Sequence, residues 1–281
     1  MFSRYARRKF VDVLARSACV VAALIALVPL VSVLYYVTAR GIGGISLAFF
    51  TELPRPVGES GGGMANALLG TLKLVFLACL FGIPPGVLAG VYLAEFGESR
   101  FAKWVRFSAD VMSGVPSITI GIFVYALVVL QTKHFSAFAG GVALGVLMLP
   151  SVTRTTEELL RLVPESLREA ALGLGVPKWR ATLRVMLRTA APGIATGVML
   201  AVARVAGETA PLLFTAFSNP FWSSGLNEPT ASLPMNIYNY AVSPYEEWHR
   251  QAWAAALVLL LLVLLLNVSA RLLVRSRVGA R

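Results

Sequence analysis

Cysteine is nearly absent from this chain of 281 residues: Cys19 and Cys79 are the only two, and both sit inside apolar runs. Two thiols with no C-x-x-C spacing exclude a disulfide framework and a thiol metal or redox site, leaving two small hydrophobes. Histidine is as scarce, and His134 and His249 lie too far apart for a ligand motif, so no metal is assigned. Charge is the next deficit. Only 14% of the residues are charged and 57% are hydrophobic, whereas a water-soluble domain carries about a quarter charged residues. That composition argues against a soluble globular enzyme and a disordered chain alike. Acidic residues number 14 against 25 Lys and Arg, a net charge of +11. Nucleic acid would need those charges on a solvated face, and the chain has too little polar surface to make one. Also missing are a G-x-x-x-x-G-K-[ST] phosphate loop, a dinucleotide fingerprint, a legible Ser/His/Asp constellation, internal repeats and low-complexity tracts.

What the sequence has instead is long apolar runs. A membrane-crossing helix takes about 20 predominantly apolar residues, and six runs qualify: 17–39, 66–94, 108–130, 135–151, 193–217 and 252–268. The first is longer than the core of a secretory signal (about 7–15 residues) and no small-x-small cleavage pattern follows, so it reads as a retained span. The basic residues separate by side. Arg4, Arg7, Arg8, Lys9 and Arg16, then Arg100, Lys103 and Arg106, then seven between Arg154 and Arg188, then Arg271, Arg275, Arg277 and Arg281 make 19 on one side. Arg40, Arg55, Lys133 and Arg250 fall on the other, and Lys73 and Arg204 within runs. This bias follows the positive-inside rule. The expectation is an all-α membrane protein of six transmembrane helices with both termini cytoplasmic: a basic N-terminus at 1–16, a membrane domain at 17–274 and a basic tail at 275–281.

The inner loop at about 152–191 reads as structured. Pro164 precedes Ser166-Leu167-Arg168-Glu169, an S-x-x-E capping box. The helix then continues to Gly175-Val176-Pro177, where a left-handed cap and a proline end it, and a second helical piece covers 178–189. The small residues Ala170, Ala171, Gly173 and Gly175 let a partner surface approach the backbone; equally, the pair of helices caps the bundle at the membrane surface.

Charges inside the runs narrow the function. Arg204 and Glu208 stand four apart in the fifth run and so share a helix face. A charge at the bilayer centre costs at least about 2.5–3.5 kcal/mol, so the pair faces a partner helix or a wet cavity. It is either a structural ion pair or a cation on an anion path whose carboxylate keeps binding weak. Arg154, at the inner end of the fourth run, reads on its own as a positive-inside anchor. Lys73 snorkels outward, and Pro84-Pro85 marks a kink or break in the second run.

Glu169-Ala170-Ala171 with Gly175 resembles the EAA signature of ABC-importer permeases, although Val185-Met186-Leu187-Arg188 stands where that signature carries a proline. The run from Val202 to Ala216, with Leu149-Pro150-Ser151-Val152-Thr153-Arg154-Thr155-Thr156-Glu157, Gly82-Ile83-Pro84-Pro85-Gly86-Val87, Val115-Pro116-Ser117 and Ser243-Pro244, is similar to permeases of phosphate-specific ABC importers, PstA type. The resemblance implies a non-catalytic permease subunit in a bacterial plasma (inner) membrane. It implies a substrate path through Arg204, Glu208 and Arg154, and an ATPase-coupling loop at Glu169, Ala170, Ala171 and Gly175. It further implies a related PstC-type permease chain, two PstB-type ATPase subunits that use ATP and Mg, and a PstS-type phosphate-binding protein, for which the outer loop at 218–250 offers a surface. No cofactor is expected on this chain. A self-contained secondary anion carrier or channel, or an ABC permease for another solute, stays open.

Overall fold

The computed structural model describes residues 4–59 and 61–279, and among these every regular element is a helix. In chain order they are α1 (Arg4–Gly41), α2 (Leu47–Thr51), α3 (Ala65–Glu95), α4 (Arg100–Gly114), α5 (Ser117–Thr132), α6 (Ala137–Arg161), α7 (Glu165–Gly173), α8 (Lys178–Ala206), α9 (Ala210–Leu213), α10 (Leu233–Ala241) and α11 (Glu246–Gly279). Five of them are long and apolar enough to cross a membrane, and the bent pair α4–α5 makes a sixth.

The scaffold is a seam between α3 and α6. Gly82, Gly86 and Gly90, spaced by four, align on one face of α3, where a Cβ would stand 2.9 Å from Met148, 2.9 Å from Val152 and 2.5 Å from Thr156 respectively. In lipid no hydrophobic force draws helices together, so small residues that let backbones approach supply the dispersion contacts. Rising numbers meet rising numbers, so α3 and α6 run parallel. α8 crosses the other way, with Gly193 against Leu159 and Gly197 against Thr155. Leu74, Leu144, Met148, Val198, Val202 and Leu212 fill the core between them. Phe49, Met64, Leu233 and Ala255 form a second cluster where α2, α10 and α11 meet α3. A valine at Gly90 has no room; we expect Gly90→Val to lower the unfolding midpoint in detergent by about 5 °C. Gly43→Val, with nothing within 4 Å, is the control that should leave it unmoved.

α1 buries only Gly41. Its contact with the rest of the chain is at its end, where a Cβ on Gly41 would stand 2.8 Å from the Trp253 carbonyl of α11. It starts at Arg4, so part of the expected N-terminal segment is helical. The expected tail at 275–281 ends outside the described residues.

Several boundaries differ from expectation. The third run is not one straight span: α4 and α5 meet at 108°. Pro116 forces Val115 into extended backbone (φ −74°, ψ 130°). The residues 108–114 belong to an amphipathic helix whose exposed Phe101, Trp104, Phe107 and Val111 form one stripe, the pattern of a helix lying in the membrane interface. The fourth run, expected to end at 151, continues as helix to Arg161, because its polar half buries Thr153, Thr156 and Glu157 against neighbours. Of the kink or break expected at Pro84-Pro85, the break does not occur: α3 stays one helix through both prolines. The second piece of the inner loop and the fifth span are one continuous helix, α8, which carries a π-helical turn at Ala181–Met186 and Pro192 inside it.

Candidate functional site

The fifth run breaks in the middle of the bundle. α8 ends at Ala206, and Gly207-Glu208-Thr209 connects it to the short α9. Glycine weakens a helix by about 1 kcal/mol relative to alanine, and Pro211 contributes no N–H to continue the ladder. Pro211 is buried, and the backbone of α5 seats on it: a Cβ on Gly121 would stand 2.6 Å from the Pro211 Cα. Continuing the antiparallel register of α8 on α6 brings Arg204 level with Met148, which packs against Gly82 near the middle of α3. The break therefore sits at about half depth.

This corrects the expectation that Arg204 and Glu208 share a helix face, since the helix ends between them. Arg204 is exposed and Glu208 half-buried, and among the described residues neither side chain makes an ion pair or hydrogen bond. Lys73, by contrast, is engaged: its Nζ donates to the carbonyls of Ser223 at 2.7 Å and Gly225 at 3.1 Å. It anchors the outer loop rather than snorkelling past it. That loop also folds into the bundle: Asn66 donates to the Asn219 carbonyl at 2.7 Å, the Thr71 hydroxyl accepts from the Leu233 N–H at 2.8 Å, and Thr230, Ala231 and Ser232 are buried. Phe221 and Trp222 stay outside.

Arg154 is not a free cation. It pairs with Asp110 on α4 and lies 3.3 Å from Glu157. Glu157, 2% exposed, also receives Arg106 at 2.6 Å and Arg161 at 2.9 Å. A buried carboxylate needs paired charge, and here three guanidiniums from two helices provide it. The cluster pins α4 to the C-terminal half of α6. Sequence reading missed Glu157, Asp110 and Arg106 as a unit. The local signal was Glu157 lying three after Arg154 and four before Arg161 on one helix; the partners on α4 had none.

The segment after α6 is a short helix held by one bidentate ion pair and by packing on α8. α7 starts at Glu165 behind Pro164, with no side-chain cap, so Ser166 falls inside the helix and the expected capping box does not form. Its other end follows expectation. Gly175 has φ +77°, the Gly175 N–H bonds the Leu172 carbonyl at 2.9 Å, and the Val176 N–H bonds that of Ala171 at 3.1 Å, which is the Schellman arrangement. Ala171 is buried on the first turns of α8, whereas Glu169, Ala170 and Gly175 are exposed. Leu162, Leu167, Leu172, Leu174 and Trp179 are exposed in the same segment. Arg168 turns inward and grips Glu95 at the end of α3 with both terminal nitrogens, at 2.6 and 2.8 Å. That hydrogen bond raises the Arg168 pKa further above the usual arginine value, against the opposing effect of burial. No three His, Cys, Asp or Glu come together among the described residues.

Comparison with known proteins agrees with this architecture. A profile of the family described as "Binding-protein-dependent transport system inner membrane component" matches residues 86–278. The chain is 50% identical over 245 residues to the phosphate transport system permease protein PstA of Yersinia pestis, covering 87% of this chain and 83% of that one. It is 47% identical over 277 residues to the protein of the same name from Xylella fastidiosa, covering 98% and 96%. In fold it resembles a chain of a bacterial ABC transporter for alginate import, with a TM-score of 0.67 at 15% identity over 98% of this chain and 99% of that one. A chain of the inward-facing MetNI methionine ABC transporter gives 0.63 at 19% identity over 76% and 95%. On its profile, its relatives and its helical architecture, the chain belongs to the family of binding-protein-dependent transport system inner membrane components.

Proposed function

We propose that this chain is the permease subunit of an ATP-driven importer of inorganic phosphate in a bacterial plasma membrane. The observation that carries the reading is Arg204: an unpaired guanidinium at the mid-depth break of a span. Its planar fork matches phosphate oxygens, and the unwound Gly207-Glu208-Thr209 lends that point an irregular backbone, as discontinuous helices do in transporters. The names of the relatives support the same solute. Glu208 keeps the site weak enough for release. Arg154, tied to Asp110 and Glu157, acts on the path through the field of its cluster rather than as a free ligand. The basic residues gathered where α3 and α6 end and α8 begins support a cytoplasmic inner end, with both termini on that side. The exposed face of α7, carrying Glu169, Ala170 and Gly175, docks the ATPase, while Ala171 sits beneath it and seats α7 on α8. A related permease chain completes the path, two ATPase subunits hydrolyse ATP with Mg, and an extracytoplasmic phosphate-binding protein delivers the solute, meeting the outer loop near Phe221 and Trp222. This chain is non-catalytic and holds no cofactor of its own.

The test is reconstitution of the four-component importer in lipid vesicles. Labelled phosphate should accumulate only with ATP and the binding protein, and sulfate should not compete. Uptake by this chain without the ATPase would replace the reading with a secondary carrier. Glu169→Lys should abolish co-purification of the ATPase or its stimulation by the binding protein. An ATPase that still binds and responds would remove α7 as the docking element.

A further inference from the structure

Two carboxyl side chains with little exposure, 6% at Glu95 and 2% at Glu157, stand at the C-terminal ends of the parallel helices α3 and α6, and they are wired differently. The bases on Glu157 all belong to α4 and α6, so that cluster is internal to the scaffold. Glu95, 6% exposed, takes Arg168 from α7 and Lys178, the first residue of α8, at 3.7 Å. Lys178 also lies over the Phe96 ring, 5.0 Å from its centroid. Among the described residues no other ion pair joins α7 or α8 to the remaining helices.

Glu95 is also set against its own local field. It is the last residue of a 31-residue helix, where the negative end of the macrodipole disfavours an anion. Its charge is therefore held by Arg168 of α7, the segment that would move, and by Lys178 at the start of α8. α7 is bounded by two joints, the non-helical link at 162–164 and the turn at Gly175, and a nine-residue helix has little stability of its own. Without a rigid strut, a displacement of α7 would be absorbed at those joints. The bidentate grip supplies that strut, because a guanidinium held at two points fixes orientation as well as distance. Sliding α7 away would strip Glu95 of its bidentate partner and leave it Lys178 alone at 3.7 Å, so movement of α7 pulls on the end of α3.

We propose that Glu95 is a positioning residue for transport: with Arg168 it forms the strut that converts movement of α7 into movement of α3 and α8. The proposal rests on the reading above that α7 docks the ATPase. The complete importer, reconstituted in vesicles with the binding protein, is assayed for inorganic phosphate imported per ATP hydrolysed. In Glu95→Gln and Arg168→Gln the ATPase should still co-purify and hydrolysis should stay within about twofold, while phosphate per ATP falls roughly tenfold, the size of a typical coupling energy. Arg168→Lys, which keeps the charge and loses the fork, should fall between them and the parent. Asp12→Asn, which breaks the exposed pair with Arg16 on α1 at 3.1 Å, should change nothing. An unchanged ratio in Arg168→Gln, or transport and hydrolysis falling in step, overturns the proposal. Should Glu95→Gln fail to assemble, the Arg168→Gln ratio decides alone. Failure of the docking reading is separate, since it is read from Glu169→Lys and co-purification.

Discussion

Arg204→Gln should cut phosphate uptake by roughly a hundredfold while the complex assembles as before. The figure follows from the desolvation at stake. A unit charge near the bilayer centre costs at least about 2.5–3.5 kcal/mol on insertion scales, and about 1.4 kcal/mol is a factor of ten in rate. Losing the one guanidinium that offsets this for a passing anion raises the barrier by that amount. Assembly is spared because, among the described residues, the Arg204 side chain makes no ion pair or hydrogen bond within the chain, and it is exposed. Glutamine removes charge and leaves a side chain of similar reach. Arg204→Lys, which keeps a point charge without the planar fork, should lose less. The measurement is initial uptake of labelled phosphate in vesicles, with co-purification as the check on assembly. Uptake at the parent rate in Arg204→Gln would take this residue off the path.

The second large effect concerns stability. Glu157→Ala should lower the unfolding midpoint of the detergent-solubilised protein by about 10 °C and its membrane yield with it. Removing one partner of a buried ion pair costs about 3–5 kcal/mol, and here it leaves Arg106 and Arg161 without a carboxylate and Arg154 with Asp110 alone. Glu157→Gln, which keeps volume and one acceptor, should fall less far. Asp110→Asn should matter least, since Asp110 is 53% exposed and surface pairs contribute about 0–1 kcal/mol. A midpoint unmoved in Glu157→Ala would mean the three arginines are satisfied by water and the cluster does not hold α4 in place.

Much of this molecule was legible in the chain because the signal is local. Apolar runs, the positive-inside bias and the Gly175-Val176-Pro177 stop are properties of neighbouring residues. Four runs appear as long helices or their cores, the fifth runs as helix only to Ala206, and Gly175 holds the left-handed conformation its place required. The failures share a cause as well. The straight third span failed because an apolar count cannot tell lipid-facing residues of an interfacial helix from those of a span. The capping box failed because Pro164 already starts the helix one residue before Ser166. The Arg204–Glu208 face failed because spacing of four means adjacency only while the helix continues.

By itself, then, the sequence determined that the chain lives in a membrane, how many apolar segments it carries, which end gathers positive charge and where the inner helix stops. Hydropathy and backbone stop signals act within one helical turn or one apolar window, so no tertiary contact is needed to read them. Only the tertiary structure decided which charges are spent and which remain free. Arg154 is taken up by Asp110 and Glu157, Lys73 by two loop carbonyls, and Arg168 by Glu95, while Arg204 is left open at a break in its span. Apart from Arg154–Glu157 on one helix, those pairings join residues from 44 to 152 positions apart, and the parallel packing of α3 on α6, through glycines that let the backbones touch, is what brings them within reach.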